Sequence, residues 1–166
     1  MSFFLVEVVL ESLNCSAVQI MIIRRTTMET EKSCGAVVFT RTDADVKYVI
    51  IQSKEGIFGF PKGHMEGLET EIETAIREIK EETGLSVSFA DGFRIEDSHV
   101  FVRKGQEIMK QIVYFLAEFS DQIPMPQESE LHSIRLVDYD TAMGLFQFES
   151  SKKILTEAQD YLRFLR

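Results

Sequence analysis

Glu78, Glu81 and Glu82 stand at i, i+3 and i+4, with Arg77 directly before them and Glu69 a short way upstream. On a helix those three acids share one face. Like charges at that spacing repel by roughly 0.2–0.5 kcal/mol per pair, a cost that a cation among them offsets. Hard oxygen ligands clustered this tightly, with no soft ligand nearby, suit Mg²⁺ or Mn²⁺. Such an ion keeps several waters and takes its remaining ligands from substrate phosphates.

Something must hold these acids on one face, and the flanking residues predict a helix. Thr70 and Glu73 form a Thr-x-x-Glu capping box that sets its start. Ile72, Ala75, Ile76 and Ile79 recur at helical spacing and predict a buried stripe on a different face from the acids. Gly84 follows as a C′ residue able to take the left-handed conformation. Gly63 and Gly67 precede the helix and Pro61 stiffens the entry, so the unit reads loop–helix–loop. The other acids, Glu66, Glu71 and Glu73, read as surface or capping residues.

The run Gly63, Glu69, Arg77-Glu78-Ile79, Glu81-Glu82, Gly84-Leu85 resembles the full Nudix box at its defining spacing. The resemblance implies an α/β Nudix fold: an α/β/α sandwich with a mixed β-sheet and a loop–helix–loop catalytic motif. It implies a pyrophosphohydrolase in which Gly63 (through its carbonyl), Glu78, Glu81 and Glu82 hold metal. Arg77 then orients a carboxylate, with Glu69 its expected partner, and Glu78 leads as general base. In a diphosphate linkage the negative oxygens repel a nucleophile. A bound divalent ion neutralises that charge, clamps the leaving oxygen and activates water, so catalysis is largely positioning plus electrostatics.

The remainder reads as mixed α/β. Residues 34–39 and 47–52 are short β-branched runs that form a hairpin-like pair. Residues 86–93 lead out of the motif helix. Residues 99–103 and 109–119 are further strands around a Lys-Gly-Gln turn, and 134–137 is another. The acidic stretch 120–130 reads as a loop, and 150–165 as an amphipathic helix with Ile154, Leu155, Ala158, Tyr161, Leu162 and Leu165 near one face. The 166 residues read as one domain with a real core. At 45% hydrophobic and 27% charged residues the composition is that of a soluble globular protein. The net charge of −9 argues against broad nucleic-acid or membrane-surface binding. Cys15 and Cys34 lie in no metal-like cluster and read as free thiols of a reducing, cytoplasmic setting. A small nucleotide substrate and a monomer or weak homodimer are expected.

The first 27 residues carry FFLVEVVLESL, apolar but interrupted by Glu7 and Glu11. The segment lacks a basic leader and a small-residue cleavage site and is too short to span a bilayer. Residues 1–27 read as an N-terminal extension or as one more element packed on the core, and residues 28–166 as the Nudix domain.

A second layer of resemblance bears on substrate. F-G-F-P-K-G-H-M-E, R-K-G-Q-E-I-M-K-Q-I-V-Y-F-L-A-E-F and a late S-x-E…R pattern are similar to the asymmetric diadenosine tetraphosphate hydrolases, from about Lys32 to Leu162. That similarity implies cleavage to ATP and AMP. It implies that Lys62 and His64 touch phosphates, that Lys110 reaches the polyphosphate chain, and that Tyr114 lines the cleft. Glu130 would add a carboxylate, with Glu128 its rival, and Tyr161 would stack on adenine. His99 or Phe101 would be the second aromatic, because the loop before Lys110 is longer than in the family and the usual Tyr is absent. Phe58 and Phe60 flank the phosphate loop, Phe58 better placed to reach a ligand. Ordinary surface lysines at 62 and 110, and a core role for Tyr161, are the structural alternatives. Competing activities are a MutT-like hydrolase of oxidised nucleoside triphosphates, an RNA 5′-pyrophosphohydrolase, and a non-enzymatic nucleotide-binding module. The last usually lacks box carboxylates that this chain keeps.

Overall fold

The computed structural model describes residues 28–43, 45–127, 129 and 131–164. The expectations for residues 1–27, Cys15, Glu128, Glu130 and Leu165 lie outside the described residues. Described are strands β1 (Glu29–Arg41), β2 (Val46–Ser53), β3 (Phe58–Gly59), β4 (Lys62–His64), β5 (Ser88–Arg103), β6 (Gln106–Glu118) and β7 (Leu131–Val137). The helices are α1 (Glu71–Thr83), α2 (Tyr139–Leu145) and α3 (Glu149–Phe164).

The strands form one mixed sheet in the order β3-β2-β1-β6-β5, with β4 paired to β1 and β7 to β2. β1 and β6 run parallel and the other pairs antiparallel. β1 is central, and every residue from Ser33 to Phe39 is buried. Its alternation sorts the core into two layers. Cys34, Ala36 and Val38 pack with Ala75 and Ile79 of α1 on one face. Val37 and Phe39 pack with Ala142 of α2 and Ile154, Leu155, Ala158 and Leu162 of α3 on the other. The result is an α/β/α sandwich. No helix among the described residues is long and apolar enough to cross a membrane.

The capping box of α1 forms as its residues dictate. The Thr70 hydroxyl accepts from the Glu73 amide, and the Glu73 carboxylate accepts from the Thr70 amide at 2.7 Å. Gly84 closes the helix at φ 73°, a left-handed conformation that suits glycine. The expected stripe needs correction. Ile72 and Ile76 are 44% and 49% exposed, while Glu78 and Glu82 are only 9% and 7% exposed. The buried arc is rotated toward the acids and runs through Thr74, Ala75, Glu78, Ile79, Glu82 and Thr83. α1 therefore turns two carboxylates inward toward β4 rather than showing them all to solvent. Glu71 is likewise no bare surface acid, because Lys32 and Arg94 both bind it, at 2.6 and 2.8 Å.

Residues 88–93 and 99–103 belong to a single long strand, β5, whose register with β6 shifts between Phe89 and Arg94. Gly92 there has φ 81°, as a bulge favours. A two-residue turn of Lys104 and Gly105, both at positive φ, joins β5 to β6, the geometry that suits the right-handed twist of a hairpin.

Candidate active site

β4 is the seam of the site. Because side chains alternate along a strand, Lys62 and His64 reach into one cleft while Gly63 turns the other way, against α1. A methyl group at Gly63 would stand 2.0 Å from Cδ of Glu78, so glycine alone lets that carboxylate lie on the strand. The Lys62 amide donates to Glu82 Oε2 at 2.9 Å, and the His64 carbonyl accepts from Arg77 Nη2 at 2.9 Å. Three consecutive residues thus tie the cleft to the acidic helix.

Arg77 organises the acids. It grips Glu69 with two parallel bonds, Nε to Oε1 at 2.7 Å and Nη2 to Oε2 at 2.9 Å. Its Nη1 also donates to Glu78 Oε1 at 2.7 Å and Glu81 Oε2 at 3.1 Å. A planar fork with this many donors suits the task in a way a lysine ammonium does not. The guanidinium pulls the Glu69 carboxyl down to about 2, helped by the Thr74 hydroxyl and the Glu66 amide. Its own pKa is raised, chiefly by the bond to Glu69. Both Glu69 oxygens are engaged, so Glu69 acts here by holding Arg77.

Gly63, Glu69, Arg77, Glu78, Glu81 and Glu82 are therefore brought together. Among the described residues no group of three or more His, Cys, Asp or Glu is gathered as a metal cage, because Arg77 bridges Glu78 and Glu81 while Glu82 accepts from the Lys62 amide. The donor chemistry still fits a hard divalent ion. The donors on offer are all oxygens, and two of them belong to carboxylates almost buried against β4. Such an ion asks for few protein ligands and supplies the rest from water and phosphate.

The cleft has a volume of about 780 Å³. One end is cationic, with Lys62, Lys110 and Arg103 around the His64 imidazole; Phe58, Phe101, His99 and Phe148 bring aromatic rings to its walls. Lys110 Nζ lies 2.6 Å from His64 Nε2, and burial lowers the pKa of its ammonium. Tyr114 does line the cleft, but as a buried wall residue set edge-on to Phe60 at 5.6 Å, with its hydroxyl pKa raised by burial. Phe58 has the Arg135 guanidinium over its ring at 5.0 Å.

Tyr161 is placed elsewhere. Its hydroxyl donates to the Asp91 carbonyl and its ring packs edge-on against Phe93 at 5.3 Å. It fastens α3 to the bulged part of β5 and is not among the cleft-lining residues, so the stacking role expected of it finds no support. Phe148, just ahead of α3, is 53% exposed and does line the cleft. Glu31, Arg103 and Phe148 escaped the sequence reading. Glu31 and Arg103 lie in alternating strands where nothing local marks a ligand contact, and their convergence needs β1, β5 and β6 assembled. For Phe148 the available signal was an aromatic directly before the amphipathic helix.

Residues 31–159 match the family model described as NUDIX domain. The chain is 33% identical over 145 residues to a rat (Rattus norvegicus) protein named bis(5′-nucleosyl)-tetraphosphatase [asymmetrical], covering 79% of this chain and 95% of the relative. Among solved structures it is similar to a C. elegans Ap4A hydrolase binary complex, with a TM-score of 0.69 at 19% identity, covering 80% of this chain and 98% of the other. It is also similar to the NUDIX domain of Shewanella oneidensis NrtR complexed with ADP ribose, with a TM-score of 0.64 at 16% identity, covering 82% and 90%. These two likenesses speak to the fold.

Proposed function

The chain belongs to the NUDIX domain family, and from that premise we propose that it cleaves diadenosine tetraphosphate asymmetrically, to ATP and AMP. It is an enzyme of the pyrophosphohydrolase class, acting on a nucleoside polyphosphate. The observation that carries the reaction class is β4. The strand that sends Lys62 and His64 into an anion-friendly cleft also holds Glu82 by its amide and carries the Glu78 carboxylate on Gly63. A phosphate chain lying against Lys62 is thereby delivered to the acids. The tetraphosphate assignment is supported by the relative named as an asymmetrical tetraphosphatase.

Gly63 through its carbonyl, Glu78, Glu81 and Glu82 would hold Mg²⁺ or Mn²⁺, and Glu130 would add a carboxylate to the same end. The ion supplies charge neutralisation and an activated water. The chain's own residues do the rest. Arg77 and Glu69 fix the orientation of the helix acids. Glu78, pressed on Gly63, would accept the proton of the attacking water. Lys62, His64 and Lys110 set which phosphorus lies opposite it, and an off-centre register yields unequal products. The cleft aromatics Phe58, His99, Phe101 and Phe148 offer faces for an adenine, with base stacking worth roughly 1–3 kcal/mol. The buried free thiol of Cys34 fits a reducing, cytoplasmic setting.

Chromatography of the products tests this reading. ATP and AMP in equal amounts are expected from diadenosine tetraphosphate with Mg²⁺ or Mn²⁺. Two ADP, or no turnover beside brisk hydrolysis of 8-oxo-dGTP, ADP-ribose or triphosphorylated RNA, would overturn it.

A further inference from the structure

The cationic end of the cleft holds an acid that works against its purpose. Glu31 on β1 sits beside Lys110 in the parallel β1–β6 register, and β4 and β5 bring His64 and Arg103 to it. Arg103 Nη1 donates to Glu31 Oε1 at 2.6 Å. Glu31 Oε2 stands 3.7 Å from His64 Nε2 and 3.8 Å from Lys110 Nζ. The Glu31 side chain is 19% exposed and lines the cleft. A fixed carboxylate among cations cancels part of their attraction for a phosphate and repels any phosphate that approaches it.

Its place along the cleft gives that cost a use. Lys62 and His64 lie on β4, next to the helix acids. Lys110 touches His64, and Arg103 lies beyond, at the far end of β5. A chain entering from the acidic helix meets Lys62, then His64 and Lys110, then Glu31 with Arg103 bonded to it. We propose that Glu31 is a specificity-determining stop: its carboxylate takes the position a further phosphate would take on Arg103 and so limits the length of polyphosphate the cleft holds. Discrimination then comes from a repulsive element set against the longer ligand rather than from an extra contact to the shorter one. Arg103 is half-exposed at the cleft, with its Nη1 taken by Glu31 and its Nη2 3.6 Å from Glu29. The stop rests on the polyphosphate reading of this cleft.

Calorimetric binding of linear inorganic tetrapolyphosphate and hexapolyphosphate to the full chain tests it without requiring turnover. Glu31→Gln should bind hexapolyphosphate about tenfold more tightly than the wild type, the scale of one close charge pair, and leave tetrapolyphosphate within about twofold. The gain should vanish in the Glu31→Gln, Arg103→Gln double variant. Glu31→Ala, with thermal unfolding to confirm its fold, should repeat the result. Unchanged or weaker hexapolyphosphate binding, or a gain that survives loss of Arg103, overturns the stop. A parallel turnover arm compares diadenosine hexaphosphate with the tetraphosphate, and Glu31→Gln should raise the ratio of their kcat/KM values. If the wild type cleaves neither dinucleotide while the inorganic ligands behave as expected, the substrate reading fails and the stop stands.

Discussion

The Glu78 carboxylate rests on the α-carbon of Gly63, where an added methyl group would lie 2.0 Å from its Cδ. The obstructed group is the far end of a flexible side chain, so Gly63→Ala should push the carboxylate away rather than unfold the domain. Activity should fall on the scale of losing a proton acceptor, about 10²–10⁴-fold in kcat, with a stability loss below about 1–2 kcal/mol. Gly35 is the contrast. A methyl there would meet the Pro61 carbonyl at 2.0 Å, and backbone yields less than a side chain. Gly35→Ala should cost about 1–3 kcal/mol in denaturant unfolding through displacement of β4. Equal stability losses for the two variants would show that Gly63 matters to the fold rather than to Glu78.

Arg77→Lys should lower kcat by about 10–100-fold with little change in KM. Outer partners that only orient ligands typically weigh that much, and lysine cannot reproduce the paired bonds to Glu69 while reaching Glu78 and Glu81. A steady-state comparison decides it. A change confined to KM would make Arg77 a substrate contact instead.

Removal of divalent metal with EDTA should abolish hydrolysis. Glu82→Gln should keep the fold, since an amide oxygen still accepts from the Lys62 backbone, and should lower kcat by on the order of 10²-fold. Full turnover in EDTA, or in the variant, would sink the metal assignment.

The ion-pair network predicts an acid limb of stability. Arg77 holds the Glu69 carboxyl, and Arg94 the Glu71 carboxyl, near 2 against an ordinary value of 4.5. Between those values the unfolded chain binds more protons, so stability rises with pH. The contribution is complete above about 4.5 and drains away as pH falls toward about 2. Glu71→Gln should flatten the fall of Tm between about pH 5 and pH 2. Parallel slopes in the two proteins would mean the Lys32–Glu71–Arg94 cluster is too solvated to matter.

Much of this was legible because it is local. The capping box of Thr70 and Glu73, the Gly84 terminus and the spacing of Glu78, Glu81 and Glu82 are short-range patterns, and α1 follows from them. What the sequence misjudged is which way α1 faces. Ile72 and Ile76 look more buriable than Glu78 and Glu82, yet the β4 seam accepts the carboxylates because Lys62, Gly63 and Arg77 receive them. The two-residue and three-residue strands β3 and β4 are too short to carry a periodicity. The β5 bulge merged stretches that read as separate segments. Glu31 meets Arg103 only across strands far apart in sequence, which no linear pattern reports.

The aromatic contact to base separates the linear reading from the three-dimensional one. Tyr161 lies on the apolar face of α3 but spends its hydroxyl on Asp91 and its ring on Phe93, whereas Phe148 stands exposed at the cleft. Phe148→Ala should therefore raise KM for diadenosine tetraphosphate about tenfold or more and largely spare kcat, since stacking on a remote base is mostly uniform binding. Tyr161→Phe removes only the bond to the Asp91 carbonyl and should cost about 0.5–1.5 kcal/mol of stability with KM unchanged. Tyr161→Ala also loses ring packing and should lower Tm further without a selective effect on KM. KM and Tm measured on all three variants decide between the two residues. A KM rise in Tyr161→Ala that Tyr161→Phe, which keeps the ring, does not share would return the stacking role to Tyr161, and a silent Phe148→Ala would leave Phe58, His99 and Phe101 as the rings that meet the base.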